Sequence, residues 1–195
     1  MKALLIALAL CLPAVAAEPP AAEAINAIAG VYKQRFTNGM VTPGKAPIKA
    51  DVAYQSEDII EIVPVDDARI YFRAKLQFYN GHACSIFGLA AYQNGQFVFH
   101  DPEKNSDGVA ACTLTLTPSA EALTLTDRLS AQSGATCRAS CGARGSLSAV
   151  SMPMKNRRPI RYLQRILASP QYKQAHDDYK QYVDGLTENP ASTGR

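Results

Sequence analysis

Between Ala131 and Ser169 the chain carries seven Lys/Arg residues and no Asp or Glu, and inside that stretch stands Cys137-Arg-Ala-Ser-Cys141-Gly-Ala-Arg-Gly-Ser146. Closely spaced thiols beside a Gly-flanked arginine are suited to fixing a loop and holding out a positive charge. That is chemistry for recognising an acidic group, because a guanidinium offers a rigid fork of donors to a carboxylate. Arg144 is the central candidate, with Gly142, Ala143 and Arg138 around it. A basic patch follows at Lys155, Arg157, Arg158, Arg161 and Arg165. Residues 18–130 hold nine basic and thirteen acidic side chains, whereas residues 131–195 hold ten and four. This asymmetry points to an acidic partner for the second half, either an acidic protein cleft or an anionic envelope component. The plainer alternative is that these arginines solvate a helix and pair with acids on the rest of the fold. Nucleic acid is not expected, since no aromatic residues interleave with the arginines as a stacking surface requires.

Other reactive residue types form weaker patterns. The three histidines, His82, His100 and His176, belong to no zinc-binding pair, and the sequence holds no nucleophile elbow, phosphate loop or dinucleotide fingerprint. No cofactor and no metal are therefore expected, and no catalytic residue is assigned. Asp101-Pro-Glu-Lys-Asn-Ser-Asp-Gly108 spaces oxygens as a calcium loop does, but the twelfth position holds no bidentate glutamate, so a solvated turn is the better reading. Asp66-Asp67 likewise reads as a turn after Pro64. Glu57 and Glu61 could serve a hydrolase only with a facing partner and a raised pKa, and the sequence indicates neither.

The first seventeen residues read as a secretory signal peptide: Lys2, an apolar run from Ala3 to Leu12, and small residues up to Ala17. The run is too short to span a bilayer, which takes about 20 residues. Cys11 lies within it after Leu10, outside a lipoprotein cleavage pattern. Export would leave Cys84, Cys112, Cys137 and Cys141, an even set that reads as two disulfides. Three connectivities are open, and proximity in sequence favours Cys84–Cys112 with Cys137–Cys141. No histidine lies near Cys137 or Cys141 to support zinc instead.

These residues must be positioned by a mainly β scaffold. Residues 18–28 form a lead-in, and from 29 to 150 the hydrophobic period is two, with turn residues at short intervals. Candidate strands are Val31–Phe36, Val52–Tyr54, Ile59–Val63, Tyr71–Tyr79, Cys84–Tyr92, Phe97–His100, Cys112–Thr117, Leu123–Thr126 and Gly145–Val150. Asn80-Gly81 and Asn94-Gly95 supply the positive φ angles of two-residue hairpins. Pairing across the first places Gln77 opposite Cys84, so that Cys84 and Ile86 share a face with Arg73 and Lys75. That register sends His82 and His100 to opposite faces, which argues against a shared metal. Eight to nine strands joined this way make a small antiparallel meander or barrel. A basic helical segment spans 151–186 and covers part of the outer wall. Its first helix starts at Pro159, with Ile160, Leu163, Ile166 and Leu167 on one stripe. The second starts at Ser169-Pro170, a cap followed by proline at the first helical position, and buries Tyr172, Ala175, Tyr179 and Tyr182 or Val183. Residues 187–195 read as a flexible tail.

Cys141-Gly-Ala-Arg144 resembles part of the Ser-Gly-Ala-Arg/Lys-Tyr loop of the periplasmic and membrane-bound lysozyme inhibitors, which are exported, disulfide-containing small β-barrels. In that family the loop enters the lysozyme cleft and engages the catalytic carboxylates. The resemblance implies that Arg144 is the inserted charge, although Cys141 stands for the family's serine and Gly145 for its tyrosine. The expected function is thus a periplasmic or secreted non-catalytic binding protein that inhibits a cell-wall glycosidase through a basic loop. The alternatives are an envelope-associated module binding anionic glycan or lipid, and a hydrolase using carboxylates in the barrel mouth.

Overall fold

The computed structural model describes residues 19–41, 52–102 and 111–188. The expected signal peptide, most of the Asp101–Gly108 loop and all but the first two residues of the expected flexible tail lie outside the described residues. Among the described residues, a short helix α1 (Ala21–Ile28) precedes nine strands: β1 (Gly30–Met40), β2 (Val52–Pro64), β3 (Arg69–Gln77), β4 (Ala83–Gln93), β5 (Gln96–His100), β6 (Thr113–Pro118), β7 (Ala122–Thr126), β8 (Val150–Pro153) and β9 (Arg157–Arg158). Two helices follow, α2 (Leu163–Leu167) and α3 (Pro170–Glu188).

All nine strands form one antiparallel sheet in the order β8-β7-β6-β5-β4-β3-β2-β1-β9. The two end strands are neighbours in the chain, joined by one turn of 3-10 helix at Met154–Asn156. The sheet therefore curls until it nearly closes, and the expected barrel is present. Closure draws β9 tightly onto β1, and Gly30 permits it: a Cβ there would lie 2.7 Å from the Arg158 carbonyl oxygen.

Alternation along each strand sends one set of side chains inward. Ile60, Ile62, Ile70, Phe72, Leu76, Phe97, Leu114, Leu116, Leu123 and Leu125 fill the barrel and are almost fully buried. Ile25 and Ile28 of α1 join this core, and the Tyr32 hydroxyl donates to the Ile28 carbonyl oxygen at 2.9 Å. A second core lies outside the wall, where Val63, Tyr71 and Leu89 of β2, β3 and β4 pack on Ile166 and Ala175. The C-terminal helices thus cover the outer wall, as expected, although through Val63, Tyr71 and Leu89 rather than through Cys84 and Ile86.

Asn94 (φ 49°) and Gly95 (φ 79°) close the expected two-residue hairpin between Gln93 and Gln96. The Asn80-Gly81 turn differs. Tyr79 joins it, and the Phe78 N–H donates to the His82 carbonyl oxygen at 2.7 Å, closing a three-residue loop. Leu76 therefore pairs with Cys84 and Gln77 with Ala83. One extra turn residue inverts the facing of β4, so Cys84 and Ile86 point inward with Leu76 and Ala74. Arg73 and Lys75 face outward beside Phe87 and Ser85.

Further expectations change. Val52–Tyr54 and Ile59–Val63 belong to the single thirteen-residue strand β2. Residues 145–149 are a loop, and the strand begins at Val150, because Leu147 turns into the barrel core and holds the chain out of the ladder. No helix starts at Pro159: the backbone of Arg157 and Arg158 pairs with Tyr32 and Val31 as β9, delaying the helix to Leu163. Leu163 is consequently 38% exposed and off the buried stripe. The Ser169-Pro170 start of α3 holds, with the Ser169 hydroxyl accepting the Tyr172 N–H at 3.2 Å. Helix α3 runs on to Glu188, so Thr187 and Glu188 belong to it rather than to the tail. Its lower face buries Ala175, while Val183 is 37% exposed and Tyr182 is the residue that faces inward, stacked on His100 at 4.9 Å.

Candidate functional site

The basic loop owes its position to a gap in the sheet. β5 pairs with β4 only from Ala91 to Gln93, which leaves the edge of β4 from Ala83 to Ala90 without a strand beside it. Segment 136–142 fills that gap. It is tied to both banks by disulfides, Cys84–Cys141 to β4 and Cys112–Cys137 to the start of β6. The sequence-based preference for Cys84–Cys112 and Cys137–Cys141 is therefore overturned. Cys137 and Cys141 flank one turn of 3-10 helix at Arg138–Ser140 and reach opposite banks of the gap.

Backbone and polar contacts reinforce this arrangement. The Gly142 N–H donates to the Ala83 carbonyl oxygen at 2.8 Å, and the Thr113 N–H donates to the Thr136 hydroxyl at 3.1 Å. The Asp127 carboxylate is almost fully buried. It accepts the Cys137 N–H at 3.1 Å and the Ser148 hydroxyl at 2.7 Å, so one acid clamps both ends of the loop.

Gly142-Ala-Arg-Gly145 is a β-turn closed by the Gly145 N–H donating to the Gly142 carbonyl oxygen at 2.8 Å, with Ala143 and Arg144 at its corners. Crowding forces the second glycine and presses on the first. A Cβ on Gly145 would sit 2.7 Å from the Cys84 Sγ, and one on Gly142 would sit 3.0 Å from the His82 Nδ1. Gly142, Ala143, Arg144 and Arg138 are all exposed, and neither arginine has an ion-pair partner among the described residues. The fold thus holds the backbone of the turn firmly and leaves its cation to solvent.

The basic patch does not form one surface of equivalent charges. Arg157 donates from Nη1 to the carbonyl oxygens of Asn26 (3.2 Å) and Ala29 (3.3 Å), capping the C-terminus of α1. Arg158 donates to the carbonyl oxygens of Lys155 at 2.6 Å and Arg157 at 2.7 Å. The Arg165 guanidinium lies over the Tyr162 ring at 4.8 Å. Lys155 and Arg161 are exposed without an ion pair among the described residues. Among the described residues none of the five pairs with an acid on the barrel, and Arg165 alone of them lies on an α-helix.

The carboxylates considered for hydrolysis are engaged on the outer wall. Glu57 meets Lys33 at 3.2 Å and Arg35 at 2.9 Å, contacts that hold its carboxyl below the usual range. Glu61, 3% exposed, accepts the Arg73 Nε–H at 2.5 Å and the Tyr162 hydroxyl at 2.6 Å. Burial, aided by the Glu61 hydrogen bond, pushes the Tyr162 hydroxyl up to about 12. The sequence shows Glu61 without its partners. Arg73, the neighbour of Glu61 in the β2–β3 register, and Tyr162 emerge only from strand pairing and helix docking.

His82 lies in the β3–β4 turn against Gly142, His100 stacks on Tyr182, and His176 packs against Tyr172 on α3. Among the described residues no group of three or more His, Cys, Asp or Glu is placed to hold a metal ion. No protein-family model, curated protein or solved structure matches the chain.

Proposed function

We propose that this chain is a non-catalytic binding protein that presents Arg144, supported by Arg138, to a carboxylate-lined protein cleft, and that a lysozyme-type cell-wall glycosidase is its target. The reading rests on one observation above all. Arg144 stands at the corner of a turn whose backbone is held by a disulfide, and it has no acid partner among the described residues. A guanidinium on a pre-positioned loop loses little conformational freedom on binding, and in a water-poor cleft it makes charge-assisted, bidentate bonds with carboxylates. Two disulfides fit an oxidising compartment, periplasmic or secreted. Among the described residues no helix is long and apolar enough to cross a membrane.

The test is residual activity of purified lysozymes of several classes against rising concentrations of the wild type and of Arg144→Ala. Removing one partner of a buried interfacial charge pair costs about 2–5 kcal/mol, so the variant should bind more weakly by a factor of about 30 or more. Absence of inhibition of every lysozyme class by the wild type would overturn the reading. A second reading is favoured by Lys155 and Arg161, exposed cations with no ion pair among the described residues: attachment to anionic glycan or lipid of the envelope. Retention on anionic vesicles would then fall steeply as salt rises through about 0.1–0.5 M. Vesicle retention that ignores salt would exclude it.

A further inference from the structure

Beneath the first turn of α3 the outer wall carries a cleft of about 360 Å³, lined by Ile59, Glu61, Arg73, Lys75, Ser85 and Gln171. Arg73 and Lys75 stand two residues apart on the outward face of β3, and Ser85 is the register partner of Lys75 on β4. Gln171 reaches the cleft from α3. The cleft lies apart from the Gly142–Gly145 turn, and none of its lining residues belongs to that turn.

The donors and acceptors around this cleft are unequally used. Both oxygens of the buried Glu61 are taken, one by the Arg73 Nε–H and the other by the Tyr162 hydroxyl. The Nη groups of Arg73, the Lys75 ammonium, the Ser85 hydroxyl and the Gln171 amide make no hydrogen bond among the described residues. Four donor groups therefore border a space whose one carboxylate already accepts through both of its oxygens.

Burying an ion pair is a poor route to stability, since desolvation offsets most of the attraction. What Glu61 does achieve is to fix the Arg73 guanidinium by its Nε edge, while the side chain stays 32% exposed and its Nη groups make no hydrogen bond among the described residues. Two cations against one anion leave a single positive charge. A ligand with one negative charge balances it, and a planar carboxylate matches the remaining guanidinium geometry.

We infer that the Arg73–Lys75–Ser85–Gln171 cleft is a second binding site, and that it takes a monocarboxylate. The acid comes either as a small free molecule or as an acidic side chain of a peptide, and the same donors serve both. Arg73 and Lys75 neutralise the carboxylate, while Ser85 and Gln171 donate to it and set its orientation. Ile59 supplies apolar contact for the substituent.

The test follows backbone amide shifts of Lys75, Ser85 and Gln171 by two-dimensional NMR during titration with N-acetylalanine. A second arm uses an amidated peptide with one internal aspartate, and N-acetylalaninamide serves as the uncharged control. Saturable shifts with either acid and none with the amide support the site, and the arm that responds identifies the source. Because Arg73→Ala disturbs the buried pair, the diagnostic variants are the exposed Lys75→Gln and Ser85→Ala. Lys75→Gln should weaken binding about tenfold, with an otherwise unchanged amide spectrum, and Arg144→Ala should leave it unaffected. The site is refuted if neither acid moves these amides, if the amide control moves them equally, or if Lys75→Gln leaves the affinity unchanged.

Discussion

Gly88→Ala is the substitution that most directly tests why the sheet opens beside the basic loop. Gly88 lies on β4 opposite Phe72, on the stretch that β5 leaves unpaired, and the Phe99 ring of β5 rests against it. A Cβ built on Gly88 falls 2.3 Å from Phe99 Cε2, 2.6 Å from Cδ2 and 3.2 Å from Cζ. Carbon atoms pack best at about 3.5–4.0 Å, so the ring must retreat by about 1 Å. It has little room, because Phe99 is 6% exposed and meets Phe72 edge to face at 5.4 Å. Overpacking of this kind costs about 1–3 kcal/mol. In a strand alanine otherwise gains roughly 0.5–1 kcal/mol over glycine, so the net loss should be about 1–2 kcal/mol. The control is Phe99→Val, which deletes the colliding ring atoms. On that background Gly88→Ala should be neutral or slightly stabilising, giving a coupling of about 2 kcal/mol in a double-mutant cycle. Urea unfolding of the four proteins measures it through the midpoints at constant slope. Equal costs of Gly88→Ala on both backgrounds would show that Phe99 does not hold β5 away from β4.

Four other outcomes follow from the same structure. Non-reducing tryptic mapping separates Cys137 from Cys141 by cleavage after Arg138, and the disulfides should join Cys84 to Cys141 and Cys112 to Cys137; a Cys137–Cys141 peptide would contradict the fold. Sequence separations of 57 and 25 residues give chain-entropy contributions of about 4 and 3.5 kcal/mol, so replacing Cys84 and Cys141 by alanine should cost slightly more than replacing the other pair. Asp58, whose carboxyl burial pushes upward despite the Gln77 N–H it accepts, is a penalty that is fully present above its folded pKa and relieved as pH falls through it. Asp58→Asn should accordingly raise Tm at neutral pH and lose that advantage in acid; an unchanged Tm difference between the two pH values would count against it. Burial lowers the His100 pKa, so its contribution is complete above about 6.5 and fades as pH falls toward the folded value, because the unfolded chain then takes up the proton first. Thermal melts should show His100→Phe less sensitive than the wild type to acidification below about pH 6.5.

What the sequence made legible, and what it did not, divides along the range of the forces involved. Alternation in Phe72, Ala74, Leu76 and the Ser169-Pro170 cap are local, and both appear where expected because nothing distant competes with them. Asn80-Gly81 shows how little separates a correct element from a wrong face. Positive φ at both residues suits a two-residue turn and equally the three-residue turn that includes Tyr79, and the choice reverses every side chain of β4. From that slip came the misplacement of Cys84; the disulfide expectation failed separately, because nearness in sequence does not show that Cys137 and Cys141 reach opposite banks of the gap between β4 and β6. In the sequence Arg157 and Arg158 look like helical charges because their recruitment to the edge of β1 depends on Tyr32 and Val31, more than a hundred residues earlier.

The two candidate sites differ for the same reason. The Gly142–Gly145 turn is written in adjacent letters, and Gly145 is explained once Cys84 is seen pressing on it. The Glu61–Arg73–Tyr162 cluster assembles from β2, β3 and the segment leading into α2, with Tyr162 101 positions from Glu61. No window of sequence contains it. The strand register brings Glu61 to Arg73, and the docking of α2 and α3 over Tyr71 and Leu89 brings Tyr162 above them and closes the wall of the cleft. A second core built outside the barrel is therefore what raises a wall beside the outward row of the half-buried Arg73 and the exposed Lys75. Had the helices packed elsewhere, Glu61 and Arg73 would be an exposed cross-strand pair worth a few tenths of a kcal/mol, with no cleft for them to line.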